Sequence, residues 1–369
     1  MKLLSYQSFS LYANGGGNRI LRRLYQGREQ DVISLVVEHA KSQPGSGAIN
    51  ETVVYATPTV QKWARWRVRT LITWLRHKVF KQYTVQQIQK AAAKLDYDVL
   101  HVVDHGAFSD ALCTDTHCGS HKLWVSFHDH YSTTFGSYDA SFTLWTRAAR
   151  RLVISNELGV EYQRLFGNKP FEIITDGVTS SEVSPAEAIN TGIYNIYFAG
   201  LLHIDYIPLF GVLANALDAL TKQGHRFKLV LRGTQNIPFL NDRMFTTEYR
   251  PMTINNAELK RELDESTILY LPIKITKPDF YRYSLSTKMV GYLGAPGAIL
   301  YHGPADSAAA NLLQQHNAAI CRGDMNEEKL SEDILTLIKS GALISANATT
   351  LARQQFDMDD IQKRFWQST

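Results

Sequence analysis

Several short stretches hold residues whose types and spacing suit ligand chemistry. Asn14-Gly15-Gly16-Gly17-Asn18-Arg19 sets three glycines ahead of an amphipathic run, Ile20, Leu21 and Leu24. Glycines let backbone N–H groups come close to a ligand, and the start of the following helix favours an anion. The spacing is not GxGxxG, so the dinucleotide fingerprint is not met. A plain flexible loop accounts for the same glycines. Tyr281-Arg282-Tyr283-Ser284-Leu285-Ser286-Thr287-Lys288 is the second stretch. Ser284 or Ser286 suits the cap of a helix running to Leu293. Hydroxyls, Arg282 and Lys288 at one helix start suit a diphosphate held without a metal. A capped helix with a solvated Lys288 is the simpler alternative. Ser126-Phe127-His128-Asp129-His130 closes an apolar run. A histidine at the carboxyl end of a parallel strand faces the ligand crevice, unless it is a satisfied loop histidine.

Two further stretches invite other chemistry. Cys113, His117, Cys118 and His121 offer two thiols and two imidazoles within nine residues. Zinc takes such donors, but the paired CxxC and HxxxH spacings are missing, and no metal is expected. Lys62–Lys81 interleaves cations with Trp63, Trp66, Trp74 and Phe80. Trp63, Trp66, Val68, Leu71, Trp74, Leu75 and Val79 fall near helical spacing. A core-packed helix with a solvated cationic face comes first, contact with an anionic membrane second, and nucleic-acid phosphates last. Asp357, Asp359 and Asp360 suit the start of a terminal helix rather than a metal.

These stretches need a scaffold. The chain has 369 residues, 44% of them hydrophobic and 20% charged, which suits two α/β cores. Apolar runs at Lys2–Gln7, Val32–Val37, Thr52–Ala56, Val99–Val103, Leu123–Phe127, Leu152–Ser155 and Glu172–Thr175 read as strands. A second series reads at Ile193–Ala199, Phe227–Leu231, Thr267–Leu271, Ala298–Tyr301 and Ala318–Cys321. Helical segments between them imply two parallel sheets, each with a ligand crevice at its carboxyl end. Asp176–Thr191 is polar and reads as a linker. The expected domains are 1–180, 190–352 and a closing segment 353–369 whose helix is Asp357–Gln367. Three cysteines suit a reducing cytoplasm. The N-terminal residues lack the apolar run of a signal peptide, and no stretch reaches the ~18 uncharged apolar residues of a spanning helix. The expected location is the cytoplasm, at most peripheral on the inner face of a membrane. The net charge of +4 is mild, but Thr52–Leu95 holds nine Lys and Arg and no Asp or Glu.

The sequence resembles the group-1 retaining glycosyltransferases of the GT-B fold. The strongest part runs from Ser266 to Leu313 and includes Thr267–Pro272, Tyr283–Lys288, Gly291–Ile299 and Gly303–Asp306. It looks like that family's nucleotide-binding segment, in the variant that usually reads SLPTK and then EYLAAG. Arg147–Gly177 looks like the last N-domain strand and helix with the "NGV" linker. Ile196–Leu201 resembles the first C-domain strand.

The resemblance implies two Rossmann-like domains facing a cleft, with the C-terminal helix crossing back to the first. It implies hexosyl transfer from a nucleotide-sugar, UDP- or GDP-linked, to a glycan, lipid-linked or other hydroxyl acceptor in bacterial polysaccharide or glycoconjugate synthesis. No separate cofactor is implied. Gly16 and Gly17 would face the donor diphosphate. His128 and Asp129 would be the catalytic residues, His128 lining the sugar subsite and helping to steady the transition state. Ser284, Leu285, Ser286 and Thr287 would present donors to the phosphates, and Lys288 a cation. The family's paired glutamates, one for the sugar and one for the ribose, fall at Tyr283 and Gly291. Its usual Arg and Lys after the first C-domain strand are also missing, and Arg232 or Arg282 would replace that cation. Three rival functions stand beside this one: a non-catalytic partner subunit, suggested by the lost glutamates; a GT-B glucosyltransferase acting on nucleic acid, suggested by the acid-free basic stretch; and a nucleotide-sugar epimerase of similar fold.

Overall fold

In the computed structural model the described residues are 1–38, 47–59, 66–115, 119, 121–185, 192–200, 202–253 and 255–367. They fall into two compact units, 1–175 with 362–369, and 176–361.

Unit 1 is built on seven parallel strands. β1 is Leu3–Gln7, β2 Val32–Glu38, β3 Glu51–Tyr55, β4 Val99–Val103, β5 Lys122–Phe127, β6 Arg150–Val153 and β7 Glu172–Ile173. Their order is β3-β2-β1-β4-β5-β6-β7. Leu3 lies in register with Val32 on one side and Val99 on the other. Every residue of β1 and β4 is buried, as expected of strands covered on both faces. The helices are α1 (Gly16–Tyr25), α2 (Trp66–Lys78), α3 (Lys81–Ala92), α4 (Tyr138–Arg147) and α5 (Asn156–Phe166). Ser137 and Ser155 cap α4 and α5 by accepting N–H bonds from Ala140 and Leu158. The chain switches direction between β1 and β4, so the crevice of this sheet lies beyond their carboxyl ends.

Unit 2 repeats the plan with six parallel strands. β8 is Tyr194–Ala199, β9 Phe227–Arg232, β10 Thr246–Arg250, β11 Ile268–Pro272, β12 Ala298–His302 and β13 Ile320–Arg322. Their order is β10-β9-β8-β11-β12-β13, with the switch between β8 and β11. The helices are α6 (Ile207–Lys222), α7 (Asn256–Asp264), α8 (Pro278–Tyr283), α9 (Thr287–Leu293), α10 (Ala308–Gln315), α11 (Glu327–Gln355) and α12 (Met358–Trp366). The last of these begins in unit 2 and ends in unit 1. Asp357 Oδ1 accepts the N–H of Asp360 at 3.0 Å, so these acids cap a helix.

Three expectations change. Residues 176–185 are not a free linker. Asp176 is fully buried, Val178 pairs with Asp357, and Ser184 N–H donates to Gly294 O. Polar composition misled here because the backbone is satisfied by unit 2. Residues 186–191, the rest of that stretch, lie outside the described residues. β10 did not register as a strand because Thr246-Thr247-Glu248-Tyr249-Arg250 is a polar edge strand, with Glu248 paired to Lys228 and Arg250. Two helical stretches, Ile204–Lys222 and Glu327–Gln355, are long and apolar enough to cross a membrane by length and composition. Their apolar faces are spent inside unit 2, where Phe210, Leu213, Leu217, Leu330, Ile334 and Leu337 share one core.

Candidate functional site

In unit 1 the carboxyl ends of β1, β4 and β5 bring Ser8, Phe9, His105, Gly106 and His128 toward the start of α1. A methyl group on Gly17 would stand 3.1 Å from the Phe9 ring and 3.3 Å from His128 Nδ1. A glycine is what lets the imidazole sit this close to the helix start. Phe9 meets His105 edge to face, with centroids 5.5 Å apart. His128 is 7% exposed, yet among the described residues neither ring nitrogen has a hydrogen-bond partner. Leaving a buried polar atom unsatisfied costs about 1–3 kcal/mol, so such a group wants a ligand or water to complete it. Burial, and then the charge of His105, push the His128 pKa down to about 4. At pH 7 the ring is neutral and offers one donor and one acceptor.

The neighbours of His128 are used otherwise. Asp129 is half-buried beside it. His130 Nδ1 pairs with Ser132 Oγ at 2.8 Å and holds the turn Tyr131–Thr133. Asp104, at the end of β4, accepts bonds from Ser109 Oγ at 2.8 Å and Ser141 Oγ at 2.5 Å. Burial pushes its carboxyl up to about 6. Phe9, His105 and Gly106 were not singled out from the sequence. The signal was there: His105-Gly106 follows a buried strand, the argument that picked His128.

In unit 2 the corresponding residues are at Gly200 and the segment before α9. Gly200 follows β8 with φ of +129°, a conformation that favours glycine. A methyl group there would stand 3.1 Å from Lys288 Nζ. That ammonium lies 4.4 Å from the centre of the Phe198 ring and 5.7 Å from that of Tyr206. Burial pushes its pKa down to about 8. Among the described residues no carboxylate forms an ion pair with it. Ser286 is the cap of α9, its Oγ accepting the Lys288 N–H at 3.3 Å. Ser284 and Leu285 are buried, Thr287 is half-buried, and Tyr283 ends α8. Gly291 lies inside α9 with nothing within 4 Å of where its side chain would start.

The two arginines offered as substitute cations are already engaged. Arg232 donates through Nε to Glu262 at 3.0 Å and through Nη2 to Glu258 at 2.7 Å, and also reaches Pro251 O. Glu262 further binds Arg250 at 2.7 Å and the hydroxyl of Tyr197 at 2.8 Å. The Arg232 charge is therefore compensated inside the unit and is not free for a phosphate. Arg282 is exposed and pairs with Asp306 at 2.8 Å. Lys288, from α9, reaches Gly200 at the end of β8.

Among the described residues no group of three or more His, Cys, Asp or Glu could hold a metal. His117 and Cys118 lie outside the described residues, as do Lys62–Arg65 of the basic stretch. Cys113 is buried, and the His121 ring packs on Tyr97 at 4.3 Å between centroids.

No family model and no curated protein matches the sequence. Solved structures do. Anabaena HepE in complex with UDP aligns with TM-score 0.67 and 14% identity, over 99% of this chain and 98% of that chain. E. coli trehalose-6-phosphate synthase bound with UDP-2-fluoro glucose aligns with TM-score 0.65 and 10% identity, over 99% and 98%. A glycosyltransferase from Rickettsia africae aligns with TM-score 0.62 and 11% identity, over 99% and 97%. At such identities the likeness is one of fold. The chain has the fold of the GT-B glycosyltransferases, two parallel-sheet α/β units of seven and six strands.

Proposed function

We propose that this chain is a glycosyltransferase that takes its sugar from a nucleoside diphosphate sugar. The observation that carries the reading is Lys288, a desolvated ammonium with no carboxylate among the described residues paired to it, set against a glycine at the carboxyl end of β8. A cation in such surroundings gains most from an anionic ligand. Uracil is the first candidate base, since the HepE and E. coli structures carry UDP or a UDP-sugar, and guanine the second. In transfer, the bond between the anomeric carbon and the β-phosphate oxygen breaks, and the diphosphate leaves with the electron pair. The acceptor hydroxyl oxygen bonds to the anomeric carbon, and its proton passes to the departing phosphate. Lys288 steadies the charge on that phosphate without a metal. We infer retention of the anomeric configuration from the family resemblance. The acceptor in this reading is a glycan or lipid-linked hydroxyl in bacterial polysaccharide or glycoconjugate synthesis at the cytoplasmic side.

A second reading, a non-catalytic nucleotide-sugar-binding subunit, has its own observation: Tyr283 and Gly291 supply no carboxylate. One experiment separates the two. Thermal shift against UDP, GDP, dTDP and their sugar conjugates should give about 2.7 kcal/mol of stabilisation for the right nucleotide at 100 times its Kd. Lys288→Ala should abolish the shift. Nucleotide release with a panel of hydroxyl acceptors then reads transfer. A shift without release supports the subunit reading. No shift with any nucleotide overturns both.

A further inference from the structure

We propose that α2 and the start of α3 form a docking surface for an anionic lipid bilayer. The surface has an apolar component that water does not suit. Leu71, Trp74, Val79 and Tyr83 are 58%, 55%, 56% and 50% exposed. Leu71, Trp74 and Lys78 recur at helical spacing along one side of α2, and Val79 and Tyr83 continue the apolar side chains toward α3. Its inner side is already used. Arg76 is buried and donates to Pro58 O at 2.7 Å, while Thr84, Ile88 and Ala92 bury the inner face of α3.

The charged side chains of α2 and α3 have one sign. Lys78, Lys81 and Lys90 are exposed among the apolar side chains. Thr52–Leu95 contains no Asp or Glu. Cations interleaved with Trp, Tyr and Leu suit the headgroup region, where lysines meet lipid phosphates and the apolar side chains enter the acyl boundary. Two other occupants fit less well. A second copy of the chain would set like charges against each other. A nucleic-acid backbone would pair with the lysines but leave Leu71 and Val79 without a use. The inference does not rest on the donor reading, and its test does not involve nucleotide.

The test is co-sedimentation of the full chain with vesicles at about 0.15 M salt. The vesicles are phosphatidylcholine alone, or phosphatidylcholine with about one third phosphatidylglycerol. The chain should bind the anionic vesicles and not the neutral ones, and added salt should weaken binding. Lys78→Ala with Lys81→Ala should reduce affinity about 25-fold, at about fivefold per lysine. Leu71→Ser with Trp74→Ser should reduce it about tenfold or more at the same charge. These four side chains are exposed, so unfolding midpoints should stay in place and confirm the fold. Absence of binding by the parent chain, or binding by both variants as strong as the parent's, overturns the proposal. So does a duplex DNA that displaces the vesicles, or a dimer that the apolar variant dissolves without any change in vesicle binding.

Discussion

Three cations in unit 2 look alike in the sequence and differ in what surrounds them. Arg232 is held by Glu258 and Glu262, Arg282 by Asp306, and Lys288 by aromatic rings. Only the last pairing leaves charge available, since a ring offers attraction without neutralising the ammonium. That difference has a pH signature. Burial lowers the Lys288 pKa to about 8, while a bound phosphate favours the charged form and raises it again. Nucleotide binding near pH 8 should therefore take up about half a proton per site, and affinity should fall as pH rises through this range. Calorimetry of UDP binding in two buffers of different ionisation enthalpy reads the uptake directly. Lys288→Met should remove it. An uptake that persists in the variant would assign the proton to another group.

Single elements hold their places through partners far away in sequence, as Arg150 in β6 does. Its guanidinium donates to Phe365 O at 2.7 Å, Arg364 O at 2.9 Å and Gln367 O at 3.2 Å, the open carbonyls at the end of α12. It also pairs with Glu172 at 2.6 Å and lies 4.5 Å from the Trp124 ring centre. A buried cation at a helix C-terminus stabilises both the last carbonyls and the helix dipole. Arg150→Met should cost unit 1 about 2–3 kcal/mol, discounted because Glu172 keeps access to water. Urea unfolding read by tryptophan fluorescence measures it, and an unchanged midpoint would show that α12 docks by its apolar face alone. The sequence announced the elements that bury apolar runs, such as Ile268–Pro272 and Val99–Val103. It also announced the cap of α9, since a serine just before a helix has a local cause, and Ser286 is that cap. It did not announce β10, whose polar residues are satisfied sideways by other charges. Nor did it show that Arg232 is occupied, because Glu262 lies thirty positions away and reaches it only through the fold. Gly17 was legible as a loop glycine. Its contact with His128 was not, because two strand ends must first come together.

At the scale of the whole molecule, each unit closes its own core, and unit 1 completes its core with residues from the far end of the chain. Phe365 is fully buried there, 5.5 Å from Trp124, 5.1 Å from His101 and 6.0 Å from Tyr25, between ring centres. Trp366 donates to Leu24 O at 2.8 Å. The chain's six tryptophans, at positions 63, 66, 74, 124, 145 and 366, all fall within the sequence range of unit 1, so their fluorescence reports that unit alone. Far-UV circular dichroism reports both. Phe365→Ala removes a large buried side chain and should lower the stability of unit 1 by about 3–5 kcal/mol. Phe365 is not among the residues of the core shared by α6 and α11. The fluorescence midpoint should therefore move to lower urea, while circular dichroism resolves a second component that stays where it was. If both signals move together as one transition, the two cores unfold as a single cooperative body, and the independence inferred from their separate sheets is wrong.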